Sequence, residues 1–186
     1  MRGRILLFML IICSTSIYTF DDERKGFIIG GGLGVGYLSN TTSLGSLSET
    51  DSRIVFPVNL KIGYAPSNTL EIFYSMKMPW WGQSDGTYLL GLIGPAFTLY
   101  LDNTSETDWF VSGGVGFASL GELSPVPSVR GGSSSRKTGF GLFGGAGYEF
   151  SKHWTVEVDL LYSTVSKDDS DTNSFGVLVT VNFLEF

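Results

Sequence analysis

The sequence is poor in cysteine and histidine, and this shortage limits the chemistry that it can carry. Cys13 is the only cysteine and His153 the only histidine. Cys13 is either a lipoprotein acceptor or a residue discarded with an export signal. The preceding Ile12 is not the small residue that such an acceptor normally follows, which favours the second interpretation. We therefore expect a mature chain without disulfides, a metal or any other cofactor.

Charge is also scarce. Charged residues make up 16% of the chain, against about a quarter in soluble domains. Removal of Arg2 and Arg4 with an export signal would change the formal net charge from −6 to −8, which argues against a nucleic-acid partner. What is abundant instead is glycine, with 25 residues, and aromatic residues, at 14%. This composition suits a chain that faces lipid outside and packs tightly inside.

No apolar run is long enough for a membrane-spanning helix, which needs about 20 residues. The longest run covers residues 5–12, follows Arg2 and Arg4, and precedes the small residues Ser14 and Ser16. These features predict a signal peptide over residues 1–20, with an unassigned cleavage point. The remaining length predicts a single domain over residues 26–186.

From residue 26 onward the apolar residues recur with period two, the period of a β-strand. Residues 53–64 show it best, because Ile54, Phe56 and Val58 begin one face while Arg53, Val55 and Pro57 begin the other. The pattern predicts strands at 26–38, 53–65, 70–79, 87–101, 109–120, 138–150, 154–165 and 174–184.

The predicted connections alternate in length. Residues 39–52, 80–86, 121–137 and 166–173 form the longer or more polar set, and 66–69, 102–108 and 151–153 form the shorter set. Short periplasmic turns and longer external loops are typical of outer-membrane barrels. Strands of about ten residues also suit a tilted membrane crossing.

The aromatic residues form two groups, one toward each end of the strands, as expected for rings at the two membrane interfaces. Ten tilted residues from Phe27 to Tyr37 rise roughly 25 Å, the height of an outer-membrane apolar band. A soluble β-sandwich gives no reason for such bands. The predicted interface anchors include Trp80, Trp81, Trp109 and Trp154. We therefore predict an all-β, eight-stranded, antiparallel up-and-down transmembrane barrel, closed because lipid leaves no partner for an open edge.

Residues 139–163 carry a more specific resemblance. A glycine-rich strand ends in Tyr148, Glu149 and Phe150, and a short turn leads to Trp154 and an alternating strand. This stretch resembles the penultimate hairpin of small outer-membrane barrels of the OmpA transmembrane, OmpX/Ail and opacity types. The resemblance implies export through the periplasm to the outer membrane of a Gram-negative cell. It implies outer-membrane lipid, lipopolysaccharide and the barrel-insertion machinery as partners.

The C-terminus departs from that family pattern. Such barrels commonly end in a phenylalanine in phase with the lipid-facing residues. Here Phe186 is out of phase with Phe183, Val181 and Val179. Either the last strand ends at Phe183 or a bulge intervenes before Phe186.

Eight strands enclose space only for side chains or one small ligand. Many inward positions are glycine, which leaves a narrow water path open as an alternative to a filled lumen. Buried charges need partners, so the inward charges predict an ion-pair plug, with a polar or proton-linked path as the alternative. The predicted plug consists of Lys61, Glu71, Lys77, Glu149, Glu157 and Asp159.

The connection 121–137 holds a basic cluster of Arg130, Arg136 and Lys137 in an acidic protein. We hypothesise that it contacts lipopolysaccharide phosphates or a surface or host ligand; a flexible loop with solubilising charges is the alternative.

His153 falls in a predicted periplasmic turn, at the wrong end for an enzyme that modifies lipid A. The run from Asp169 lacks the glycine and glutamate of a calcium loop, and we interpret it as a solvated acidic loop.

The sequence therefore predicts a non-enzymatic barrel with a filled or very narrow lumen, which contributes to envelope integrity or surface interaction through four external loops. A narrow porin-like or hydrophobic-ligand channel is one alternative. A lipid A-modifying enzyme is the other.

Overall fold

The computed structural model describes residues 24–83, 86–101, 108–123 and 136–185. All regular secondary structure in these segments is β-strand. The strands are β1 (Gly26–Leu44), β2 (Leu47–Ser67), β3 (Leu70–Gln83), β4 (Gly86–Tyr100), β5 (Asp108–Leu123), β6 (Lys137–Ser151), β7 (Trp154–Lys167) and β8 (Ser170–Glu185). No helix in the described segments has the length and apolar character to cross a bilayer. The predicted signal peptide, Cys13, Arg130 and Phe186 lie outside the described residues.

The strands form a closed barrel in sequence order, and each is antiparallel to its neighbours. The closing seam joins β1 to β8 from Ile29↔Glu185 to Leu44↔Ser170. Closure gives every strand a partner on both sides, which satisfies the backbone groups that lipid cannot hydrogen-bond. The predicted all-β up-and-down barrel is confirmed.

Side chains alternate between the two faces of this wall. On β2, Ile54, Leu60 and Ile62 point outward and are about half exposed or more, whereas Val55 and Lys61 point inward and are buried. Large apolar side chains cover the outside of all eight strands. A monomeric soluble protein rarely exposes a continuous apolar surface of that kind. The outer surface is therefore the one that contacts lipid.

Three of the predicted external loops are strand rather than loop. β1 and β2 continue through most of residues 39–52 and meet at a turn where Gly45 has a φ of 58°. Only residues 84–85 separate β3 from β4, and only 168–169 separate β7 from β8. Polar residues beyond the lipid still pair across the ladder, as the 3.0 Å contact between the Thr41 and Thr50 hydroxyls illustrates. Polarity therefore marked the membrane boundary, not the end of the strand.

The connections fall at two ends of the barrel. Both ends of the strand array, at Gly26 and Glu185, lie at the same end as the turns 68–69 and 152–153; we call this the inner end. The three extended hairpins and the connection between β5 and β6 lie at the opposite, outer end. Short turns at one end and longer projections at the other match the asymmetry of outer-membrane barrels.

Candidate functional site

A group of charged side chains fills the middle of the lumen. Lys77 Nζ lies 2.5 Å from Asp159 Oδ2 and 3.9 Å from Glu157 Oε1. Lys61 Nζ lies 3.4 Å from Glu157 Oε2, and Ser112 donates a hydrogen bond to Glu157 Oε1. All four charged side chains are buried. Two cations therefore face two carboxylates in a compact central cluster.

Rings and amides enclose this central cluster. Lys77 Nζ lies 4.3 Å from the centroid of the Phe143 ring, and Lys61 Nζ lies 5.0 Å from that of Phe73. Such cation–π contacts stabilise a desolvated cation by roughly 2 kcal/mol. The Asn182 amide lies 3.4 Å from Glu157 Oε2 and donates to it. These contacts enclose the central charges in protein groups.

The other two predicted plug residues belong to a second cluster at the inner end. An Arg24 guanidinium nitrogen lies 2.6 Å from Glu149 Oε2. Its guanidinium carbon lies 4.1 Å from the centroid of the Tyr100 ring, and the Tyr100 hydroxyl donates to Glu71 at 3.1 Å. Asp108 lies 3.9 Å from the same guanidinium. The six predicted charges thus form two clusters, not one.

Sequence reasoning missed Arg24, which precedes the first predicted strand. It is buried in the lumen mouth with Glu149 and Asp108 around it. The sequence did contain a signal for such a residue. Two acids, Glu149 and Glu71, lie at the inner ends of their strands and need a basic partner there. A basic residue just before the first strand lies at the same end and supplies the partner.

Toward the outer end, the central cluster is followed by an apolar belt of inward side chains from β1, β2, β4, β5, β7 and β8. Along β2 the inward side chains pass from Lys61 to Val55, and along β7 they pass from Asp159 to Leu161. Each member of the belt is 0% exposed, so these side chains pack against one another and the barrel wall at this level. The belt consists of Leu38, Val55, Leu90, Ala118, Leu161 and Leu178.

Beyond the belt, the lumen opens into a cavity of about 440 Å³ at the outer end, which we call the outer vestibule. Trp81 and Tyr88 stack there at 6.0 Å between ring centroids and 14° between planes. Arg53 lies 5.0 Å above the Trp81 ring and pairs with Asp51. Charged, amide, hydroxyl and aromatic groups thus share one cavity.

Of the predicted basic cluster, the structure describes Arg136 and Lys137. Lys137 turns into the outer vestibule and donates to Thr172 and Ser170 at 2.7 and 2.8 Å. Burial lowers the pKa of Lys137, and the Asp171 carboxylate partly offsets this effect. Arg136 is exposed. Two neighbouring cations therefore serve different surfaces.

Three of the four predicted tryptophan anchors, Trp80, Trp109 and Trp154, point outward, as interface anchors must. Trp81 does not: it is 4% exposed and faces the lumen. The reason is the strand period, because adjacent residues point to opposite faces and only one of Trp80 and Trp81 can meet lipid. Tyr100, which is 3% exposed, also faces the lumen, while its neighbours Leu99 and Leu101 point outward.

This difference predicts how single-tryptophan variants respond to lipids with brominated acyl chains. A variant that keeps only Trp80 should lose much of its fluorescence in such bilayers, because its indole contacts lipid. A variant that keeps only Trp81 should keep its fluorescence, because the barrel wall separates the Trp81 indole from the brominated acyl chains. Phenylalanine at the other three positions makes the two proteins matched controls. Equal quenching of the two variants would contradict the inward placement of Trp81.

His153 occupies the turn between β6 and β7 at the inner end, in the left-handed region with a φ of 70°. Its Nδ1 atom lies 2.8 Å from the Leu184 carbonyl, and its ring packs 5.8 Å from that of Phe183. The side chain thus ties the turn to the end of β8. In the segments that the structure describes, no group of three or more His, Cys, Asp or Glu side chains is arranged to hold a metal ion.

Comparison with known proteins rests on the fold. No family model matches the chain, and no curated protein matches it in sequence. Among solved structures, Ail, the attachment invasion locus protein of Yersinia pestis, has a TM-score of 0.50 at 15% identity, over 86% of this chain and 99% of that one. Neisserial surface protein A has a TM-score of 0.48 at 16% identity, over 84% of this chain and 96% of that one. OprG of Pseudomonas aeruginosa has a TM-score of 0.48 at 11% identity, over 88% of this chain and 98% of that one.

The wall of the barrel agrees with the likeness of its fold to that of Ail. The strands close without an edge, lipid-facing side chains cover the outside, and both ends of the strand array lie at the inner end. This chain has the fold of the small eight-stranded outer-membrane β-barrels.

Proposed function

We propose that this protein is a non-enzymatic barrel with a sealed lumen, which acts at the cell surface through its outer rim. The observation that carries the proposal is the filling of the lumen by the apolar belt and the central charged cluster. A transport function needs a continuous path. A sealed wall instead contributes to the envelope and presents a rigid rim to the exterior.

The energetics of the central cluster support a sealed lumen. A hydrated pore lets charges interact with water, whereas Lys77 and Glu157 are at most 1% exposed and rely on each other and on Asp159. Displacing these side chains to admit an ion would separate buried opposite charges, at a cost of several kcal/mol. The lumen therefore resists opening at two successive levels.

The height of the outer rim supports a role at the surface. β1 and β2 pair as far as Leu44↔Leu47, several residues beyond the outer aromatic Tyr37. Leu44 and Leu47 are exposed at the tip of this hairpin. Paired strands hold such a tip more rigidly than a free loop does, so it loses little conformational entropy when it binds a partner. Lipopolysaccharide and external ligands are the partners that reach it.

Conductance in planar bilayers tests the sealed lumen. The wild-type protein should give no current above that of a protein-free bilayer. The double variant Leu38→Ala with Leu178→Ala removes two belt side chains and should allow measurable proton leakage from vesicles. Leu33→Ala with Leu160→Ala makes the same chemical change on the lipid-facing side and should not. Defined channel steps from the folded wild-type protein would overturn the proposal.

A further inference from the structure

The outer vestibule has the size and position of a small-molecule site. Its volume of about 440 Å³ lies within the range of roughly 300–1,000 Å³ of ligand pockets. The apolar belt closes its floor, and its walls come from strands that continue beyond the lipid. A molecule from the exterior can therefore enter the cavity but has no exit through the barrel.

The charges around the outer vestibule favour a neutral ligand. Arg53 and Lys137 contribute two cations, and Glu49, Asp51 and Glu122 contribute three carboxylates. Asp51 pairs with Arg53. A polyanion would meet three carboxylates and a polyamine would meet two cations, and each such approach of like charges is costly. A neutral molecule with many hydroxyl groups meets no such opposition, because each hydroxyl both donates and accepts.

The aromatic groups favour a ligand with apolar faces as well. Trp81, Tyr88 and Leu120 supply the apolar part of the lining. The negative face of an aromatic ring attracts the weakly positive C–H groups of a flat, aliphatic molecule. A pyranose ring combines C–H faces with a hydroxyl periphery, and it therefore matches both halves of the lining.

Unpartnered polar atoms in the vestibule wall provide an independent observation. Asn40 and Trp81 are more than nine-tenths buried, and Asn40 Oδ1 and Trp81 Nε1 have no hydrogen-bond partner among the described residues. Arg53 Nε also has no hydrogen-bond partner among the described residues. Leaving such groups unpaired is costly, because a buried donor or acceptor loses its hydrogen bonds to water. A ligand that draws these side chains a little toward the cavity would supply one donor and two acceptors.

We propose that the outer vestibule binds a neutral saccharide of one or two rings. The sugar packs against the half-buried Tyr88 ring beside the Trp81 indole, and its hydroxyls bond to Asn40, Glu122 and Lys137. This inference rests on the proposed function, because only a rim that faces the exterior offers the site to such molecules. The saccharide comes either from solution or from the glycan of neighbouring lipopolysaccharide. The vestibule recognises a sugar ring from either source by the same contacts.

The experiment observes the indole N–H signals of the ¹⁵N-labelled full chain in phospholipid nanodiscs. Glucose, galactose, mannose, N-acetylglucosamine and lactose are each titrated to tens of millimolar. At least one sugar should shift the Trp81 signal, assigned with Trp81→Phe, and leave the Trp109 and Trp154 signals in place. Asn40→Ala and Glu122→Gln should each weaken the response about tenfold, as expected for one lost hydrogen bond to a charged or buried partner. Asn173→Ala, on the outer face of the same rim, should leave it unchanged.

The outcomes distinguish failure of the saccharide inference from failure of the proposed function. A Trp81 shift on moving the protein into lipopolysaccharide nanodiscs without free sugar would identify the attached glycan as the source. A shift with spermidine or phosphate but with no sugar would overturn the saccharide assignment. No shift with any probe, in a protein that is folded and non-conducting, would overturn this inference alone. A conducting wild-type barrel would instead overturn the proposed function.

Discussion

Replacing Lys77 by methionine is expected to lower the free energy of unfolding by about 3–5 kcal/mol, the cost of leaving a buried charge without its partner. Lys77 is 1% exposed and lies between Asp159, at 2.5 Å, and Glu157, at 3.9 Å. Methionine fills a similar volume but leaves Lys61 as the only cation against two carboxylates. Urea unfolding in lipid vesicles, followed by the heat-dependent shift in gel mobility, measures the change.

Two further variants show whether the loss comes from charge. Lys77→Met combined with Asp159→Leu removes one cation and one carboxylate and leaves the Lys61–Glu157 pair intact. This double variant should recover most of the lost stability, because a buried ion pair replaced by apolar groups is often neutral. Lys152→Met, in the exposed turn between β6 and β7, should change stability by about 0.5 kcal/mol or less. A loss in Lys77→Met as small as that in Lys152→Met would show that the central cluster is hydrated.

Replacing Gly34 by alanine is expected to prevent or severely weaken closure of the barrel. Gly34 pairs with Thr180 across the seam between β1 and β8. A Cβ at Gly34 would overlap the Val179 carbonyl oxygen and lie 2.8 Å from Thr180 Cα. Backbone cannot rotate away as a side chain can, so the two strands must separate. We expect a loss of about 3 kcal/mol or more, at the upper end of overpacking effects.

Gly144→Ala is the matched control. Gly144 faces lipid, and a Cβ there would meet nothing within 4 Å. Because glycine is itself unfavourable in a strand, this variant should be as stable as the wild-type protein or slightly more stable. The same urea titration compares the two proteins. Equal stability of Gly34→Ala and Gly144→Ala would mean that the seam is looser than the structure shows.

The architecture was largely predictable from the sequence because lipid imposes simple rules. Period-two alternation assigned the lipid-facing residues of β2 and β7, such as Ile54 and Leu160, to the correct face. The requirement for paired backbone groups in lipid then implied closure of β1 on β8. The ends of the strands were not predictable in this way. Thr41 and Thr50 are as compatible with a solvated loop as with a ladder, and only their mutual pairing decides between the two.

The contents of the lumen needed the tertiary structure. The alternation identified the inward charges, but Lys77 and Asp159 are 82 residues apart, and their contact depends on how strands across the barrel stagger. The same stagger separates Glu71 and Glu149 from the central cluster and places Arg24 beside Glu149. The alternation also allowed only one of Trp80 and Trp81 to face lipid, and the barrel determined which.

The sequence by itself determined the wall of this protein: eight strands, an apolar exterior and a narrow, partly charged interior. These properties follow from the alternation of side chains along one strand and from the demands of the bilayer, both of which are local. The tertiary structure decided which charges pair, where the apolar belt closes the lumen, and that an aromatic and polar vestibule lies above it. These properties depend on the register between strands, which brings together residues far apart in the chain.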